Sequence, residues 1–181
     1  MGPIAVRSPA VPTPVTLRLA SLDDAEAIRT VYNLEVETAT STFDLVPRTA
    51  AEQRAWLSDR SGAFSTVVAT VDDEVVGFAA LSPYKDRPAY RTTVEDSVYV
   101  RRDRHGLGIG RLLLEHVLDV ATTSGFHAVM ARISANGDAS RALHARCGFE
   151  LVGIEREVGR KFNRWLDVVV MQCLLSERRT A

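Results

Sequence analysis

Between Ser97 and Leu114 the chain passes from strand-forming residues through a basic turn into Gly106-Leu107-Gly108-Ile109-Gly110, and then into a helix-forming run. That order suits the capture of an anion. A helix start carries unpaired backbone N–H groups at the positive end of its dipole, and glycines let the backbone close on a diphosphate with no Cβ in the way. Arg101, Arg102, Arg104 and Arg111 add positive charge around it. Just upstream, Glu95 offers a carboxylate for proton transfer. Alternation along an extended strand sets Glu95 and Ser97 on one face and Asp96 on the other. A carboxylate desolvated in a closed cleft holds its proton to higher pH and can act as a base, directly or through a water. The expected ligand is a phosphate-bearing cofactor.

Three cofactor classes use such a loop. A P-loop needs Gly-x-x-x-x-Gly-Lys-Ser/Thr, and no Gly-Lys-Ser/Thr occurs here. A dinucleotide fold needs Gly-x-Gly-x-x-Gly and an acid about 20 residues further on. Here the glycines fall at 106, 108 and 110, and that distance ends near Met130-Ala131-Arg132, with no carboxylate. Coenzyme A loops carry Arg/Gln-x-x-Gly-x-Gly/Ala after a strand. His105-Gly106-Leu107-Gly108-Ile109-Gly110 fits, with His105 where Arg or Gln is usual. The ordinary alternative is a glycine-rich turn that binds nothing.

These groups must be positioned by a chain of 181 residues, a size suited to one domain with a full core. A net charge of −1 argues against bulk nucleic-acid binding, so the basic residues at 101–111 read as local. No apolar run is long enough for a bilayer, and the N-terminus has no signal-peptide core. Cys147 and Cys173 form no metal or disulfide pattern, and His105, His116 and His127 show no ligand spacing. The expectation is a cytoplasmic protein without a metal.

Residues 1–14 read as a flexible leader, 15–175 as a single domain and 176–181 as a tail. Val15–Ala20 alternates as a strand. Ser21-Leu22-Asp23-Asp24 then caps a helix that lines up Ala25, Ile28, Val31 and Tyr32. Glu35–Phe43 reads as a break and Ala50–Ser58 as a second helix, with Trp56 and Leu57 inward. Phe64–Val71 and Val75–Leu81 form a hairpin across Asp72-Asp73-Glu74. Thr92–Val100 is a strand, and Leu107–Ser124 a helix with Leu112, Leu113, His116, Val117 and Val120 at helical spacing. His127–Ile133 is a strand, Asp138–Cys147 a helix, and Phe149–Val158 and Trp165–Leu175 an antiparallel pair. The order predicts an α/β fold with a mixed, mainly antiparallel central sheet flanked by helices.

This order, the glycine loop and three further stretches resemble the GNAT superfamily of N-acetyltransferases, over about 15–175. The stretches are Tyr90-Arg91-Thr92-Thr93-Val94-Glu95-Asp96-Ser97-Val98-Tyr99-Val100, Asn136-Gly137-Asp138-Ala139-Ser140 with Leu143-His144, and Val158-Gly159-Arg160-Lys161-Phe162 with Trp165-Leu166-Asp167. Ile28-Arg29-Thr30-Val31-Tyr32-Asn33 adds to them. Within the superfamily the chain is similar to the phosphinothricin and methionine sulfoximine acetyltransferase branch. The resemblance implies acetyl-CoA as cosubstrate and direct transfer to the α-amine of a small amino acid analogue. It implies that Val98 and Val100 pair with the pantetheine arm, that backbone groups from Gly106 through Leu107, Gly108, Ile109 and Gly110 to Arg111 hold the diphosphate, and that Asn136 and Ser140 reach the pantetheine. It carries the base onto Glu95 and points to His144 as the acid for the departing thiolate, since no Tyr occurs in 137–148.

An oxyanion donor is expected from the backbone near Tyr99, where the strand would splay. Arg91 can pair bidentately with a carboxylate or phosphinate, and Phe43, Tyr90, Thr93, Lys161 and Trp165 are candidate substrate walls. The resemblance also implies a homodimer, with no nucleic-acid or membrane partner. Competing functions are acetylation of protein N-termini or polyamines and a non-catalytic coenzyme A module. Arg91 argues against a polyamine.

Overall fold

The structure, a computed structural model, describes residues 14–178. The expected leader lies outside these residues except for Pro14, as does the tail beyond Arg178. Seven strands form one sheet in the order β1-β2-β3-β4-β5-β7-β6. They are β1 (Thr16–Leu19), β2 (Val67–Val71), β3 (Glu74–Pro83), β4 (Thr93–Val100), β5 (Ala128–Ser134), β6 (Glu150–Lys161) and β7 (Arg164–Leu174). Helices α1 (Ala25–Thr38) and α2 (Ala50–Ser58) follow β1, α3 (Ile109–Thr123) follows β4, and α4 (Asp138–Arg146) follows β5. Every neighbouring pair is antiparallel except β4 with β5.

Local chemistry explains the elements. Asp24 accepts two 2.7 Å bonds from Arg18 and one from the Ser21 N–H, which fixes the short turn leading into α1. Thr49 and Glu52 form a reciprocal capping box at α2. Asp72 and Asp73, at φ 50° and 63°, make the tight β2–β3 turn, and Phe162 and Asn163, at 49° and 58°, make the β6–β7 turn. Two successive left-handed residues match the right-handed twist of a hairpin.

Two apolar layers cover the sheet. On one face α3 buries Ile109, Leu113, Leu114, Val117 and Leu118 against Val94, Val129 and Val169. Each such side chain contributes about 1.5–3 kcal/mol. On the other, α1 and α2 cover Val68, Val75 and Phe78 with Ile28, Val31, Tyr32 and Leu57.

Two local expectations are corrected and a third is extended. Helix α1 continues to Thr38, well inside the expected break, because Glu35 and Thr38 are anchored there by Arg102. Leu112 is exposed, and the buried stripe of α3 runs instead through Leu113, Leu114, Val117, Leu118 and Ala121, which is the register that meets β3 and β4. In α2 Leu57 is buried and Trp56 packs inward edge-on to Phe78 at 6.3 Å as expected, but the fully buried side chain beside them is Gln53, and Arg48 and Arg60 stack over the Trp56 ring.

Candidate active site

Strands β4 and β5 pair only from Thr93–Ala128 to Glu95–Met130. Beyond that point they separate. β4 keeps its ladder with β3 to Val100, whereas β5 keeps its ladder with β7 to Ser134. One edge of β4, from Asp96 to Val100, is therefore left without a strand partner, and an extended ligand could take its place. The split opens at Asp96, three residues before the expected position at Tyr99.

The two lips of the split carry different chemistry on the two faces of the sheet. Toward α1 and α2 point Thr93, Glu95, Ser97 and Tyr99 from β4, and Met130, Arg132 and Ser134 from β5. Burial drives the Glu95 carboxyl upward, partly offset by the Arg132 charge and reinforced by Asp96 and Glu155. Tyr99 stacks on Phe78 at 5.3 Å and meets Tyr32 edge-on at 5.1 Å.

Toward α3 and α4 points Asp96, buried with His144. His144 Nε2 lies 3.0 Å from Asp96 Oδ2, and Nδ1 donates to the Ser140 carbonyl at 2.7 Å. Ser140 Oγ lies 3.4 Å from the same Nδ1. Burial alone would lower the His144 pKa, but the Asp96 bond, the Asp96 charge and the Ser140 carbonyl outweigh it and raise it. Glu95 and His144 thus sit on opposite faces of the sheet at the mouth of one split.

At the end of β4 lies the expected anion cradle. Gly106 and Gly108 have φ of +77° and +80°, and a Cβ at either would meet nothing within 4 Å. The glycines thus leave open space in front of a backbone that L side chains rarely adopt. The first α3 bond runs from the Leu112 N–H to Gly108 O, so the N–H groups of Ile109, Gly110 and Arg111 lack helical partners. Gly110 lets α4 approach, since a Cβ there would come within 3.2 Å of Leu143 Cδ2. His105 Nε2 donates to Val100 O at 2.9 Å, tying the cradle back to β4 through a carbonyl expected to serve the ligand.

The arginines contribute less charge than expected. Arg101 pairs with Glu74 and Asp103, Arg102 with Glu35, and Arg111 with Glu115. Arg104 Nε is buried, makes no hydrogen bond among the described residues, and is ion-paired with Asp103 at 3.6 Å. An open backbone cradle and partnerless helix N–H groups fit a diphosphate.

The other expected site residues are dispersed around the cleft. Phe43 covers Gly159 so closely that a Cβ there would run into its ring. Tyr90 packs edge-on against Tyr84 at 5.6 Å, and Arg91 is exposed just before β4. Asn136 lines a small groove with Ser134, Glu157 and Trp165, an exposed residue whose ring lies beside Arg160. Lys161 is buried, and its Nζ donates to Thr42 O at 2.8 Å and Glu35 O at 3.4 Å. Its amine therefore straps the β6–β7 hairpin to the α1–α2 connection. Among the described residues no cluster of His, Cys, Asp and Glu could hold a metal, and no helix is long and apolar enough to cross a membrane.

Sequence reading missed Arg132, Thr42 and the Asp96–His144 contact. Alternation along β5 carried the signal for Arg132, since 128, 130, 132 and 134 share the Glu95 face. Nothing local announced the other two, which join segments far apart in the chain.

Residues 28–149 match the pattern of the Acetyltransferase (GNAT) family. The chain is 36% identical over 168 residues to an L-methionine sulfoximine/L-methionine sulfone acetyltransferase of Pseudomonas aeruginosa, covering 92% of this chain and 98% of that one. It is 40% identical to a phosphinothricin N-acetyltransferase of Streptomyces coelicolor, with 85% and 92% covered. A phosphinothricin acetyltransferase from Sinorhizobium meliloti, solved in complex with AcCoA, superposes with a TM-score of 0.85 at 36% identity, covering 88% of each chain.

Proposed function

This chain belongs to the GNAT family and is an acetyl-CoA-dependent N-acetyltransferase, and from that premise we propose that it acetylates the α-amine of small acidic amino acid analogues of the phosphinothricin, methionine sulfoximine or methionine sulfone type. The observation that carries the reading is Glu95, a half-buried carboxylate with a raised pKa at the point where β4 and β5 part. The names of relatives that match over most of the chain support the substrate class.

Bound acetyl-CoA supplies an activated acetyl thioester. The free edge of β4 at Val98 and Val100 takes the extended arm, with Asn136 and Ser140 on its far side. The Gly106–Arg111 backbone takes the diphosphate. Glu95 removes a proton from the substrate ammonium, which leaves the nitrogen lone pair free to attack. A backbone N–H of the unpaired stretch near Tyr99 stabilises the oxyanion. His144 gives its Nδ1 proton to Ser140 Oγ as that hydroxyl gives up its own to the leaving sulfur. Thr93 shares the Glu95 face of β4, and Phe43 closes the approach from the α1–α2 connection, which Lys161 holds down.

The chain acts in the cytoplasm as a homodimer. The support is an edge strand, β6, whose Leu151, Val152, Ile154 and Val158 are exposed. Light scattering on the purified chain tests this, and a monomer at working concentration would refute it. The function is tested by thiol release from acetyl-CoA with phosphinothricin, methionine sulfoximine, methionine sulfone, the standard amino acids, spermidine and a short peptide. Turnover of the analogues is expected; turnover of the peptide or spermidine alone would overturn the reading.

A further inference from the structure

Arg132 lies on β5 two positions beyond Met130, the last β5 residue paired with β4. It is therefore on the Glu95 face and on the open side of the split. Its Nη1 and Nη2 donate to Glu155 Oε1 and Oε2 at 2.9 and 2.5 Å, while 31% of the side chain stays exposed. A guanidinium has five N–H donors in a rigid fork. The end-on pair with Glu155 occupies two of them, and the side chain makes no other hydrogen bond among the described residues. Glu155 thus fixes the fork without saturating it.

An α-amino acid carries its carboxylate one carbon from its amine. With the amine at Glu95, the carboxylate falls within a few ångströms, where a fixed cation is required. Lys161 is committed to the Thr42 and Glu35 carbonyls. Arg91 stands before the paired end of β4, away from the split. The Arg132 charge acts on Glu95 directly, against burial and the repulsion of Asp96 and Glu155.

We propose that Arg132, held by Glu155, binds the carboxylate of the amine substrate and sets the preference for amino acids over plain amines. This rests on the amino-acid reading above. Binding forms charge-assisted N–H···O bonds from the unused donors and breaks no covalent bond.

The test compares methionine sulfone with its α-carboxamide for wild type, Arg132→Leu, Arg132→Lys and Glu155→Gln, each checked for an unchanged KM for acetyl-CoA. Wild type should favour the acid. Arg132→Leu should raise the KM for the acid tenfold or more, hold kcat within a few-fold, and bring the acid-to-amide ratio toward one. Arg132→Lys should retain part of the preference, and Glu155→Gln most of it. An undiminished ratio in Arg132→Leu, or a change confined to the acidic limb of its pH profile, overturns the inference and leaves the substrate class standing. Wild-type turnover of neither compound overturns the amino-acid reading as well.

Discussion

Asp96 and His144 meet across 3.0 Å in the interior and join β4 to α4 at the residue where β4 leaves β5. The contact has two consequences, one for stability and one for the proton inventory. Removing one partner of a buried pair strands the other, at a cost of about 3–5 kcal/mol. Asp96→Ala should lower the Tm by roughly 10 °C, on the usual slope of about 2–4 °C per kcal/mol for a chain of this size. Calorimetry reads this directly.

The same pair makes stability depend on pH. The folded His144 pKa is raised above its unfolded value of about 6.5, so its stabilisation is complete below that value and is lost as pH rises through the folded pKa. In Asp96→Asn the imidazolium loses its main support. The alkaline limb of kcat should then move to lower pH, and the fall in Tm over the same window should weaken. An alkaline limb that stays in place would remove His144 from the proton path.

Glu95 has a linkage of the same sign, because its folded pKa is also raised. A carboxyl with a raised folded pKa costs stability once it ionises, so the fold gains as pH falls through that window. Glu95→Gln should raise the Tm at neutral pH while lowering kcat by about 10²–10⁴-fold, with acetyl-CoA binding retained. In the wild type, the acidic limb of kcat should lie above the ordinary carboxylate range. Unchanged turnover in Glu95→Gln would exclude it as the base.

Gly106→Ala and Gly108→Ala add a methyl group in open space, so no protein clash accompanies the left-handed strain of about 1–2 kcal/mol. Both should raise the KM for acetyl-CoA much more than they alter the KM for the amine. An equal effect on both would argue against a diphosphate in front of this backbone.

Lys161→Met removes the strap over Thr42 while keeping apolar bulk. Stability should fall by about 1–3 kcal/mol as the Thr42 carbonyl loses its charged donor. The amine KM should rise while the acetyl-CoA KM holds, because Phe43 rides on the same connection.

The strands, the α2 boundaries and the glycine cradle were legible because their signals are local. Thr49 with Glu52 marks a helix start, Asp72-Asp73 a hairpin, and Glu95 with Asp96 a pair on opposite faces. What escaped was set by partners distant in sequence. Lys161 looked like a substrate wall until the α1–α2 carbonyls claimed its amine. The arginines looked like ligands for phosphate until Glu35, Glu74 and Glu115 neutralised three of them. Charge can be counted along a chain, but its cancellation depends on the fold.

The seam between β4 and β5 is only three residue pairs long, against seven on either side. Mechanically the sheet is two plates joined by a short hinge, with Glu95 on one plate and Arg132 on the other. Anything extended along the free edge of β4 splints the plates and sets the gap between those two side chains. If the cosubstrate sets that gap, binding should be ordered with acetyl-CoA first, and product-inhibition kinetics reads that order directly.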